Sequence, residues 1–221
     1  VLKAVWQHSR AVPIILWLLL VVGSLMIAVP RIDEIMQEQK QNELLAGWTA
    51  QSRATTDAPL PHSAQERPNA LWKDIDGIPV MGSITIAKVG LHEPLLKGAD
   101  PLPLQVGIGV VEEDRLPGEP TNFVLAGHRS LKPGKHFNRL GELERGDLIE
   151  IESANGVFTY SVEASYLVDP DDLSVLDSRP GEADLTLITC HPMRNPTHRL
   201  IVKATLDQER GTQVATVEDK K

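Results

Sequence analysis

The chain contains one cysteine, Cys190, at the end of the run LTLITC and directly before His191 and Pro192. A thiolate is a strong nucleophile, and a nearby imidazolium or guanidinium favours that form. Both kinds of partner are present. Arg199 is the second residue of the run HRLIVKATL, a short loop beyond the cysteine, and the chain has seven histidines. His8 precedes a long apolar run and His62 falls in a Pro/Ser/Thr-rich stretch, while His92 and His136 stand in ordinary polar surroundings. His128 differs, because it directly follows the apolar run NFVLAG, where the backbone leaves a strand. Strand ends and the loops behind them are where functional side chains collect on a rigid scaffold.

Strand alternation sorts these residues by face. Thr186, Ile188 and Cys190 share one face of LTLITC. In HRLIVKATL, Leu200, Val202, Ala204 and Leu206 form the apolar face, and Arg199, Ile201, Lys203 and Thr205 point the other way. Two strands joined by a short loop are commonly sheet neighbours, which would bring Arg199 beside Cys190. Pro192 and Pro196 stop the strand and stiffen that loop. His191 and His198 face away from Cys190 and Arg199, which disfavours a zinc site built from Cys190, His191, His198 and His128, and no CxxC or HxxxH spacing supports one. The plain alternative is a buried core cysteine in a stalked β-sandwich binding module.

The elements that must hold these residues read as mostly β. GSITIAKV and LHEPLL are short strands around a turn at Gly90, and TNFVLAG is a third. Asn155-Gly156 lies between two alternating runs in DLIEIESANGVFTYSVEASYLV, a strong hairpin signal. ADLTLITC and HRLIVKATL supply two more strands, and HFNRLGELERGD a short helical turn. Several short strands with turns between them predict a barrel or sandwich.

The 221 residues carry a formal net charge of −8 and no Lys/Arg block, which argues against a nucleic-acid partner. Residues 11–29, AVPIILWLLLVVGSLMIAV, are free of charge. As a helix they would be roughly 28 Å long, close to a ~30 Å hydrocarbon core. Lys3 and Arg10 precede this run and Asp33 and Glu34 follow it, favouring a cytoplasmic N-terminus and an external domain. A cleaved signal peptide is the alternative, although its apolar core is usually shorter. The expected organisation is a stub over 1–10, a transmembrane anchor over 11–30, a juxtamembrane helix and linker over 31–74, a folded domain over 75–209 and a polar tail over 210–221. In an exported domain a single cysteine has no internal disulfide partner, so it is a leftover thiol.

With these residues in view, LAGHRS around His128, TLITC ending in Cys190 and HRLIV beginning at His198 resemble the three characteristic segments of the sortases, membrane-anchored cysteine transpeptidases of bacterial surfaces. The resemblance covers about residues 76–207, and the order His, Cys, Arg and the N-terminal anchor agree with it. It implies an eight-stranded β-barrel with short helices, preceded by one transmembrane helix. It implies cleavage of a C-terminal LPxTG-like sorting signal between Thr and Gly through a thioester on Cys190. The acyl group would pass to an amine of a cell-wall precursor or a pilin lysine. His128 would serve as general acid and base and Arg199 would stabilise the oxyanion, while Ala126 and Thr189 would line the sorting-signal groove. TCHP and AGHRSLKPGKHFNRLGELERGD resemble the class E pattern and VDPDDLSVL that of class D. THRLIV resembles class C, but NALWKDIDG lacks the Asp-Pro of that class's lid, which makes a housekeeping-type enzyme the expectation. A hydrolase releasing its substrate to water would share the thioester. No cofactor and no required metal are expected, the acidic cluster Glu112, Glu113 and Asp114 reading as a solvated face.

Overall fold

A computed structural model describes residues 2–54, 71–132 and 134–207. The tail expected over 210–221 and most of the linker expected before residue 71 lie outside the described residues.

Helix α1 runs from Leu2 to Ala54 without a break. Its apolar residues from Ile14 to Val29 are exposed, and the helix is long and apolar enough to cross a membrane. The anchor and the juxtamembrane helix expected as two pieces are therefore one helix, which continues through Pro30. The chain divides into two compact units, Val1–Lys40 and Gln41–Lys221. The second unit thus starts well before residue 75. Leu44 and Trp48, on the last turns of α1, are fully covered and form a small apolar cluster with Ile75, Val80 and Leu96.

That second unit is built on a closed sheet. The strands are β1 (Lys73–Ile75), β2 (Ile78–Ile86), β3 (Leu91–Lys97), β4 (Ile108–Val110), β5 (Asn122–Ala126), β6 (Leu148–Ser153), β7 (Gly156–Val168), β8 (Asp184–His191) and β9 (His198–Leu206). A short helix, α2 (Pro101–Val106), carries the chain from β3 to its parallel neighbour β4. The sheet order is β1-β2-β3-β4-β5-β8-β9-β7-β6, and β6 pairs back onto β2. The ring from β2 to β6 is therefore the expected eight-stranded barrel, with β1 as a short extra strand on its rim. Closure removes the free edges that would otherwise invite pairing with another chain. At the closing seam Gly82 is required, since a Cβ there would lie 1.8 Å from the Glu152 carbonyl oxygen.

Alternation fills the barrel. Leu185, Leu187, Leu200, Val202 and Ala204 face inward with Phe123, Leu125, Ile149, Ile151 and Tyr160. The expected hairpin at Asn155-Gly156 joins β6 to β7, and the expected helical turn forms as a 3-10 turn over Leu140–Glu142.

Candidate active site

Three adjacent strands, β5, β8 and β9, bring His128, Cys190 and Arg199 together. Cys190 and Arg199 are direct partners in the antiparallel β8–β9 pair, so their side chains leave the same face. The β5–β8 pair is parallel, with Ala126 opposite Ile188. The ladder continues one step, since the Gly127 N–H donates to the Ile188 carbonyl at 3.1 Å. Two residues beyond the Ala126–Ile188 pair, His128 and Cys190 stand at matching positions. The three residues thus form one row across strands that are about 5 Å apart, at the barrel rim and on its outer face.

Gly127 allows this arrangement. A Cβ on it would lie 2.7 Å from the Phe137 ring and 2.8 Å from Ile108. Phe137 is buried, and its N–H donates to the His128 carbonyl at 3.0 Å, closing the loop that follows His128. The Asn138 amide donates to the Ser130 carbonyl at 2.5 Å within the same loop.

The His128 side chain is exposed, although part of it is desolvated. That burial, followed by the electrostatic influence of His136, pushes its pKa below the ordinary histidine value. Cys190 is half-buried. The Arg199 guanidinium makes a single hydrogen bond among the described residues, from Nη1 to the His198 carbonyl at 3.5 Å. Its remaining donors are uncommitted, and arginine stays charged at any working pH.

The next row on the same face is Ala126, Ile188, Ile201 and Tyr166. Ala126 and Ile188 are half-buried and Tyr166 is exposed, an apolar floor beside the thiol, while Ile201 is fully covered. The β7–β8 connection rises beside this floor. Arg115 holds it through the Leu176 carbonyl at 2.6 Å, and both the Asn122 amide and Lys203 Nζ reach the Val175 carbonyl at 2.9 Å. A cavity separates Ala164, Tyr166 and Lys203 on the strands from Ser174, Asp177 and Arg179 of the connection.

Thr189 does not join the groove. Alternation turns it to the face opposite Cys190, where it is 2% exposed and its hydroxyl donates to the Gly127 carbonyl at 2.8 Å. It ties β8 to the residue before His128, a strut instead of a groove wall.

Two further pairs escaped the sequence reading. Arg129 donates from Nη1 to His191 Nδ1 at 2.7 Å and to the Cys190 carbonyl at 3.4 Å. A guanidinium has no acceptor, so Nδ1 of His191 accepts and the ring proton sits on Nε2. His136, taken above as an ordinary polar residue, is buried and paired with Glu93. A carboxylate at an inward position of the Leu91-x-Glu93-x-Leu95 alternation was the available signal for that pair.

The fold and this row of side chains define a class of protein, and comparison with known proteins gives the same class. A family model described as a sortase domain matches residues 84–207. The chain is 34% identical over 111 residues to sortase D of Bacillus subtilis (strain 168), covering 50% of this chain and 54% of that protein. It is 29% identical over 204 residues to sortase A of Bacillus anthracis, covering 90% of this chain and 96% of that one. Among solved structures, a Clostridium perfringens sortase D5 transpeptidase superposes with a TM-score of 0.59 at 29% identity, covering 76% of this chain and 98% of that one. The chain belongs to the sortase family of transpeptidases.

Proposed function

We propose that this chain is a membrane-anchored cysteine transpeptidase that cleaves an LPxTG-like sorting signal between Thr and Gly. The row His128–Cys190–Arg199 on three neighbouring strands carries the reading. Cys190 Sγ gives its proton to the neutral His128 and, as the thiolate, attacks the Thr carbonyl carbon, and the carbonyl electrons move to oxygen, where the Arg199 guanidinium stabilises the developing oxyanion. As the tetrahedral intermediate collapses, the Thr–Gly C–N bond breaks and the His128 imidazolium gives its proton to the leaving Gly amine. The acyl group remains as a thioester on Cys190. An incoming amine then gives a proton to the now neutral His128, forms the new C–N bond and releases the Cys190 thiolate.

The apolar floor of Ala126, Ile188 and Tyr166 suits the aliphatic start of such a signal. The substrates are surface proteins bearing the signal, and the acceptor is an amine of the envelope, on a cell-wall precursor or a pilin. The exposed apolar stretch of α1 anchors the chain. Lys3 and Arg10 before the stretch and Asp33 and Glu34 after it favour an N-terminus in the cytoplasm and the barrel outside.

The test uses the full chain in detergent micelles, a fluorogenic LPxTG peptide and an amine acceptor. Thr–Gly cleavage with formation of the amine conjugate is expected. Cys190→Ala should abolish it, and His128→Ala and Arg199→Ala should lower kcat/KM by roughly 100-fold or more. Cleavage that survives Cys190→Ala would overturn the mechanism, and cleavage that never yields a conjugate would make the chain a hydrolase.

A further inference from the structure

Glu93 occupies an inward position of β3, and its neighbours on that face, Leu91 and Leu95, belong to the barrel core. Its side chain is 3% exposed. A carboxylate in such a place is costly unless its oxygens are bonded. Oε1 accepts the His136 backbone N–H at 2.5 Å, and Oε2 meets Nδ1 of the His136 ring at 2.7 Å. A carboxylate only accepts, so Nδ1 carries a proton. The His136 backbone has a φ of 49°, a left-handed conformation uncommon for a side-chain-bearing residue. Glu93 therefore holds both the backbone and the ring of a residue in a special conformation. The His136 ring stands edge-on to His128, with 6.3 Å between centroids and 66° between planes. Phe137, the residue after His136, is bonded to the His128 carbonyl.

A core-filling role would be met at lower cost by an aliphatic residue at Glu93. The ionisable groups around His128 are Cys190 on β8, Arg199 beyond it on β9, Arg129 next in the chain and His136. Glu93 stands behind His136, and Lys135 precedes it. Of these, His136 is the one whose ring packs on that of His128.

We propose that Glu93 and His136 are positioning residues for His128: the buried carboxylate fixes the His136 ring, and that ring fixes the orientation of the His128 imidazole opposite Cys190. The proposal rests on the reading of His128 as the general acid and base.

The experiment compares wild type, Glu93→Gln, His136→Gln, Cys190→Ala and His128→Ala as full chains in detergent micelles. In the variants that keep Cys190, turnover of the LPxTG peptide with an amine is normalised to the fraction of Cys190 that reacts with a thiol reagent. The titration of His128 is read separately, by deuterium exchange at its ring C–H measured peptide by peptide, which needs no substrate. Both glutamine variants should lower kcat by about 10- to 100-fold with KM within about twofold. The His128 midpoint should move upward in His136→Gln. Variants that fold but leave kcat and the His128 midpoint unchanged would overturn the proposal. If Glu93→Gln fails to fold, His136→Gln decides by the same two readouts. If wild type is inactive, or Cys190→Ala or His128→Ala keeps full activity, the functional reading fails. The His128 midpoint then decides alone whether the pair acts on His128.

Discussion

At the residue scale, the chemistry depends on what surrounds one imidazole. Desolvation and, less strongly, the electrostatic influence of His136 favour neutral His128, so its pKa lies below the ordinary value of 6.5. A group shifted in this direction favours folding most above its unfolded value, and that contribution is lost as pH falls from about 6.5 through its lowered pKa. The acid limb of a kcat/KM profile, where His128 first gains its proton in the free enzyme, should therefore lie below pH ~6.5. A profile of the wild-type chain between pH 4 and 9 with an acid limb clearly above that value would contradict the packing seen around the ring. Arg199, with donors to spare, and Arg129, committed to His191 and the Cys190 carbonyl, illustrate a division of labour between two cations. One is open to a ligand and the other braces the strand end.

At the scale of elements, the wall beside the site is held by polar clamps. Asp184, at the start of β8, is 1% exposed and receives Arg179 Nη2 and Nε at 2.5 and 2.7 Å. Arg179 also reaches Glu163 at 2.9 Å, so it pins the end of the β7–β8 connection to both strands. Arg179 is itself half exposed, and much of its Coulomb attraction is screened. The larger effect of removing it is a buried carboxylate left with the Thr205 hydroxyl at 3.3 Å. Arg179→Ala should cost about 1–3 kcal/mol, read as a lower urea midpoint, and should raise KM more than it lowers kcat. An unchanged midpoint would mean that the connection is held by its backbone contacts alone.

For the whole molecule, the end of α1 is part of the barrel unit. Trp48 is 1% exposed against Ile75, Val80 and Leu96, and Lys73 Nζ lies 4.7 Å from its ring centroid. Replacing it empties a site that the outer faces of β2 and β3 cannot refill. Trp48→Ala should cost roughly 3 kcal/mol of barrel stability, measured by chemical denaturation. No loss of stability would show that the helix end is a passive stalk.

Much of this was decided locally and could be read from the sequence. Side-chain alternation has a period of two, so the faces of LTLITC and HRLIVKATL followed from residue types alone. A short loop between them then paired Cys190 with Arg199. The apolar run over 11–29 and the hairpin at Asn155-Gly156 were legible for the same reason. The placement of Thr189 was also implicit in that alternation, and the resemblance led away from it. Tertiary structure decided the rest. His128 reaches Cys190 only because β5 pairs in parallel with β8, across the whole of β6 and β7. Glu93 reaches His136 only once β4 has joined β3 to β5, and α1 finds its partners only on the outer face of β2 and β3. These contacts join segments far apart in the chain, with no local turn to announce them. Their register is set by which faces must be buried together when the sheet closes.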